Sequence, residues 1–218
     1  MKEILITSAL RTPVGSLNKS LKNIPADELG AAVITASTEK LKIKKDQIDE
    51  IIMGQVLTGG TGQNPARQAA FRAGIPKEKP AYIVNQVCGS GIRSVASAFQ
   101  SIKSGDNDIV IAGGQESMSL APHTIHLRDG KKLGDTELVD SMIKDGLWDA
   151  FHGYHMGITA ENVAEKWNIS REEQDTFAVS SQSKAQDAIK NKKFNEEIIP
   201  ENLGDEHPRN NVTLESLS

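Results

Sequence analysis

Seven consecutive residues, Asn85-Gln86-Val87-Cys88-Gly89-Ser90-Gly91, bring together what a thiol nucleophile needs. They hold the single cysteine of the chain. Ahead of them, Ala81-Tyr82-Ile83-Val84 reads as a short buried strand. Behind them, Ile92, Val95, Phe99 and Ile102 recur at the spacing of one helix face. Cys88 is therefore expected on a tight turn between strand and helix. Gly89 and Gly91 permit positive φ there and leave room beside the sulfur for a ligand. The free N–H groups and positive dipole end of a helix start favour the thiolate, which is the nucleophilic form. The same N–H groups suit an oxyanion as it forms. The competing reading is a small, buried, inert cysteine. Glycines and setting bring the two readings level.

A turn of this kind needs a sheet behind it. With 218 residues the chain is long enough for a substantial core. Hydrophobic residues make up 38% and charged residues 25%, as in a soluble globular protein. Lys plus Arg of 25 against Asp plus Glu of 29 gives a net charge of −4. That argues against general nucleic-acid binding, which wants a basic face. One cysteine excludes an intrachain disulfide framework and fits a reducing compartment. The apolar run Ile4-Leu5-Ile6 is too short for a signal peptide, and no run is long enough to span a membrane. A cytoplasmic location is the resulting expectation.

In chain order, Glu3 to Ser8 reads as a first strand, and Arg11-Thr12-Pro13-Val14-Gly15 as a loop. Leu29, Val33 and Ala36 mark a helix face after Asp27, a plausible cap. Glu50 to Val56 is a second strand. Gly59-Gly60-Thr61-Gly62 is a connector, lacking the Gly-Lys-Ser/Thr of a P-loop. Asn64-Pro65 reads as a cap with proline in the first helical position, and Gly74 as that helix's stop. Asp108 to Ala112 is a further strand, apolar as if covered on both faces. The alternation predicts an α/β fold with a mainly parallel sheet and helices on both sides. Ligands bind beyond the carboxyl ends of such strands, where Cys88 lies.

After the last strand the chain makes an excursion. Gly113-Gly114-Gln115-Glu116-Ser117-Met118-Ser119 opens it, and Glu116 either orients the active-site backbone or forms a cap. His126 to Asp135 reads as a hairpin around Asp129-Gly130, with Arg128, Lys131 and Lys132 as a solvated face. Trp148, Phe151 and Tyr154 fall close together beside His152 and His155, although aromatics make up only 4% of the chain. Such a set could line an apolar tail or form a local mini-core. Thr159 to Trp167 is helical, and Ser170-Arg171-Glu172-Glu173 is a capping box for a helix with Phe177, Ser181, Ala185, Ala188 and Ile189 inward. Asn202 to Ser218 is polar, with no clear closing element.

The Asn-Gln-Val-Cys-Gly-Ser-Gly run resembles the acylation motif of the thiolase family. The Gly-Gly-Gln-Glu-Ser-Met-Ser stretch and the Asp145 to Gly157 loop are similar to that family as well. The resemblance implies a thiolase-like layered fold with an inserted loop domain. Residues 1–116 would be an incomplete N-terminal domain, residues 117–218 the loop domain over the coenzyme A tunnel, and a C-terminal domain would be absent. It implies an acetyl-CoA C-acetyltransferase acting through an acyl-cysteine on Cys88, in fatty acid metabolism. Leu147, His155 and Met156 correspond to tunnel residues, and Trp148 and His152 correspond less securely. The partners implied are acyl-CoA and coenzyme A, as substrates rather than cofactors. The family also implies a homo-oligomer, a tetramer joined through the hairpin. The family's second cysteine and its Asn-Glu-Ala-Phe and Gly-His-Pro stretches are missing, and Glu206-His207-Pro208 does not replace the last. A truncated, inactive part is therefore expected. The rival readings are a coenzyme A-binding or assembly fragment without catalysis, and a ketoacyl synthase of the same broad fold.

Overall fold

The β-branched run at Ile51 and Ile52 forms the middle of a parallel sheet. In the computed structural model, which describes residues 3–200 and 203–217, that strand is Glu50–Gly54 (β1). Ala81–Val84 (β2) and Val110–Gly114 (β3) flank it in the order β2-β1-β3. The register sets Ile52 beside Tyr82 on one side and Ala112 on the other. Three helices alternate with the strands: Ala26–Leu41 (α1), Pro65–Arg72 (α2) and Ser90–Ser104 (α3). Successive strand residues point to opposite faces. Ile51 and Met53 join a core with Ala31 and Ile34 of α1 and Ala66, Ala69 and Ala70 of α2. Gly54 lies on the other face, against the start of α3. The expected α/β layering, with helices on both faces of a parallel sheet, is thus observed.

Local signals placed the ends of α2 well. Asn64 accepts the Arg67 amide through its side chain, Pro65 opens the helix, and Gly74 follows it at φ 75°. Other expectations need correction. Glu3 to Ser8 is not a strand; it has no ladder partner among the described residues, and Leu5 and Ile6 are 69% and 80% exposed. An extended segment without a neighbour cannot satisfy its backbone in a sheet. Asp27 does not cap α1. Pro25 does, and Asp27 is buried in the first turn as an ion pair with Arg72. The buried side of α1 is Ala26, Gly30, Ala31, Ile34 and Thr38, while Leu29, Val33 and Ala36 are half-buried. Small residues win that face because α2 packs there.

β2 is half-buried rather than buried, since it is an edge strand, and β3 is the opposite edge. α3 turns Ser90, Ser94 and Ala98 inward, leaving Ile92 74% and Phe99 52% exposed. The expected hairpin is displaced outward. Its strands are His123–Thr124 (β4) and Val139–Asp140 (β5), antiparallel, and residues 126–135 form an exposed loop between them. Two further helices follow, Met156–Trp167 (α4) and Arg171–Lys190 (α5). The capping box at Ser170 and Glu173 is present. The inward face expected for α5 is not, for no residue of α5 is buried and Phe177 is 76% exposed.

The chain beyond α5 straps the loop near the N-terminus. Arg11 gives its amide to the Glu197 carbonyl and accepts the Ile199 amide. Its guanidinium binds Asp205 at 2.7 and 2.9 Å and Glu197 at 2.7 Å. Asp205 also accepts the Val14 amide, and Glu206 the Ser16 amide. The final stretch, of which Asn202 and Ser218 lie outside the described residues, adds one short turn at Leu214–Ser216.

Candidate active site

All three parallel strands end at one edge of the sheet, so the loops that follow them meet there. Cys88 sits between β2 and α3, as expected, and is exposed. Hydrogen bonds fix its turn. The Ser90 hydroxyl accepts the Gln86 amide at 2.8 Å and donates to the Val87 carbonyl at 2.6 Å. The Asn85 side chain accepts the Val87 amide at 2.9 Å. Positive φ falls on Val87, at 49°, and not on the glycines expected to take it; Gly89 has φ −83°. Gly89 tops the first turn of α3, whose Arg93 amide donates to its carbonyl.

What glycine supplies here is clearance. A β-carbon on Gly54 would fall 2.4 Å from the Ser90 carbonyl carbon and 2.6 Å from the Gly91 nitrogen. A β-carbon on Gly114 would stand 3.4 Å from the Gly91 α-carbon. The start of α3 is therefore seated on the bare backbone at the ends of β1 and β3. The buried Ser94 hydroxyl, 2.7 Å from the Gly91 carbonyl and 2.8 Å from that of Gly113, locks the seat.

Cys88 opens on a cavity of about 420 Å³. Its walls are mainly apolar, with Leu57, Met118, Met142 and Leu147 among them, and Gly91 and Gly114 beneath. The roof is the π-helical turn Met142–Leu147. The structure thus brings Leu147 to Cys88. His155 and Met156 are not among the cavity walls. His155 faces Trp148 across an antiparallel bridge, so it stands next to the roof's end, and its Nδ1 accepts the Gly157 amide at 3.0 Å as the cap of α4. Met156 is 45% exposed in the first turn of that helix. Trp148 is half exposed. His152 stacks on Tyr154 at 5.6 Å and pairs with Asp149 at 3.0 Å, while Phe151 is almost fully exposed. The His152 amide and ring hold the Asp149 carboxyl below its ordinary range.

Glu116 holds backbone beside the cavity. Its carboxylate accepts the Val56 amide at 2.8 Å and the Leu57 amide at 3.2 Å. Burial raises its pKa above the ordinary glutamate value, against the opposing pull of those two amides. Beside it, Gln115 donates to Gln55, and Gln55 to the Leu57 carbonyl. Sequence reasoning missed this strip, Gln55 to Leu57, and the roof residue Met142. The glycines ending β1 and β3 were the signal that strands stop there against another backbone. Among the described residues no group of three or more His, Cys, Asp or Glu is placed to hold a metal, and no helix is long and apolar enough to cross a membrane.

Known proteins share this sequence pattern and this fold. The chain is 54% identical to an acetyl-CoA acetyltransferase of Paracoccus denitrificans, over 100% of its own length and 58% of that protein. It is 48% identical to the cytosolic acetyl-CoA acetyltransferase of Rattus norvegicus, over 99% of its length and 57% of that protein. The crystal structure of the Bacillus anthracis acetyl-CoA acetyltransferase superposes with a TM-score of 0.92 at 34% identity, over 97% of this chain and 56% of that one. The chain thus spans a little over half the length of these relatives. Residues 4–218 match the model of the thiolase N-terminal domain, and with it the chain belongs to the thiolase family.

Proposed function

We propose that this chain is the acyl-accepting part of an acetyl-CoA C-acetyltransferase, with Cys88 as the catalytic nucleophile. The observation that carries the reading is an exposed Cys88 at a helix start, facing a roofed apolar cavity. The thiolate attacks the thioester carbonyl of acetyl-CoA. A new carbon–sulfur bond forms, the old one breaks, and coenzyme A leaves as a thiolate that takes up a proton. The oxyanion on the way is stabilised by amides of this turn other than those of Gly89 and Ser90, which donate to the Gln86 and Val87 carbonyls. Leu147 roofs the acyl end, and His155 and Met156 flank the outer course of the pantetheine arm. In the second stage a base removes a proton α to the carbonyl of another acetyl-CoA, and the carbanion takes the acetyl group to give acetoacetyl-CoA. Thiolysis runs the same steps backwards.

In this reading residues 1–116 belong to the catalytic domain and residues 117–218 to the loop domain over the tunnel. The groups for the second stage come from a further domain. The exposed loop between β4 and β5 joins subunits of a homo-oligomer. The names of the relatives support the substrate, and the single cysteine and the cytosolic rat relative support a cytoplasmic site. Intact-mass measurement after incubation with acetyl-CoA tests it. One acetyl group is expected on the chain, absent in Cys88→Ala, with no thiolysis of acetoacetyl-CoA by the chain alone. Failure of Cys88 to take the acetyl group would refute the assignment, and robust Cys88-dependent thiolysis would refute the division of labour.

A further inference from the structure

Where the sheet ends, its hydrogen-bond ladder runs one residue further: the Gln115 amide donates to the Gly54 carbonyl at 2.9 Å, and the Gln55 amide to that of Val84 at 3.2 Å. The next two amides, of Val56 and Leu57, turn away from the sheet, and the carboxylate of Glu116 receives both. A side chain thus continues what the backbone of β3 began. The segment it holds is a wall of the Cys88 cavity. Leu57 faces the roof across the cavity, its Cδ2 standing 3.9 Å from where a β-carbon on Gly146 would lie. One carboxylate therefore holds the wall that faces the roof.

We propose that Glu116 is a positioning residue for acyl transfer, setting the width of the passage between the Cys88 turn and Met142–Leu147. This rests on the reading of Cys88 as the acyl acceptor. One carboxylate oxygen receives Val56 at 2.8 Å and, at 3.5 Å, Leu57 as well; glutamine would lose the 3.2 Å bond from the Leu57 amide to the second oxygen and set an NH2 group against that donor. The energetics point the same way. Because burial raises the carboxyl's pKa in the fold, the ionised form weakens the fold as pH rises from the ordinary glutamate value through the raised one. A group kept for packing alone has no reason to carry that charge. Of the residues lining the cavity, Cys88 is the other titratable one, and no charged side chain acts on Glu116 among the described residues.

The test uses two thiol reagents on the whole chain, the wild type and Glu116→Gln, read by intact mass. Iodoacetamide is small and reports the sulfur. Pantethine, the neutral disulfide of the pantetheine arm, must also fit the passage. Both need the thiolate, so the ratio of their rates cancels its ionisation. The expected result for Glu116→Gln is a fall of about tenfold in the pantethine-to-iodoacetamide ratio, the scale of a small misplacement at a reacting centre. A modest loss of thermal stability is expected as well, because the Leu57 amide keeps only its longer bond. In the wild type the ratio should itself fall as acid protonates Glu116, and in the variant it should stay flat. An unchanged ratio overturns the proposal, and so does an equal loss with both reagents accompanied by a lower melting temperature. Should wild-type Cys88 take acetyl from acetyl-CoA while Glu116→Gln keeps its ratio, only this inference falls. Should the wild type take neither acetyl nor pantetheine, the parent reading falls and this one with it.

Discussion

Val87 places a β-branched side chain at φ 49°, where such residues are rarely found. Strain of this kind costs about 1–3 kcal/mol and persists only where neighbours enforce it. Here Asn85 and Ser90 do so, by holding the Val87 amide and carbonyl. Val87→Asn, which tolerates this conformation, is expected to raise stability by about 1 kcal/mol while slowing acetylation of Cys88. Urea denaturation and the intact-mass assay would read the two effects, and unchanged stability would remove strain from the account. The motif around Cys88 was legible in the sequence because a lone cysteine among glycines on a strand-to-helix junction has few uses. The backbone geometry was not. Glycine permits positive φ but does not demand it, and a hydroxyl further along decided which residue took it.

Helices and strands were located by period and punctuation, often within two residues, but their buried sides were misread. An apolar stripe shows that a side chain prefers burial, not that something lies over it. On α3 the small residues Ser90, Ser94 and Ala98 reach the sheet because the helix start must sit on Gly54. No local pattern announces that. The strap of residues 194–200 and 203–206 over residues 11–20 was equally hidden, since it joins stretches far apart in the sequence. Arg11 and the Val14 amide hold the Asp205 carboxyl below its ordinary range, with His207 adding to the pull and Glu197 sharing the guanidinium. A depressed pKa of this kind stabilises the fold above the ordinary aspartate value, and the gain is lost as pH falls through the depressed one. Acidification below about pH 4 is therefore expected to free the strap. Limited proteolysis or hydrogen exchange across residues 194–206 would show it. Asp205→Asn should expose the same segment more already at neutral pH and weaken the pH dependence, Glu206 keeping a share of it through the Ser16 amide; a strap equally protected in both would contradict this.

Taken whole, the molecule buries one side of its sheet well and leaves large apolar side chains in the open. Ile92 and Phe99 on α3, Leu5 and Ile6 before the sheet, and Phe177 on α5 are all exposed. Joint replacement of Ile92 and Phe99 by lysine is expected to change stability by less than about 0.5 kcal/mol, as at other surface positions, and to reduce binding of a hydrophobic dye. A loss of several kcal/mol by urea denaturation would mean that the chain itself covers them. The inward face expected of α5 failed at this scale, because burial depends on which elements pack together and not on the stripe alone.

The cavity beside Cys88 has its floor in the ends of the sheet and its roof in Met142–Leu147, far along the chain. The two come from separate stretches of the sequence. Bulkier or slimmer side chains at Met142 or Leu147 would resize the room beside the sulfur while the Cys88 turn keeps its seat on the strand ends. The volume of that room is thereby set by one turn, and the backbone packing below does not have to change with it.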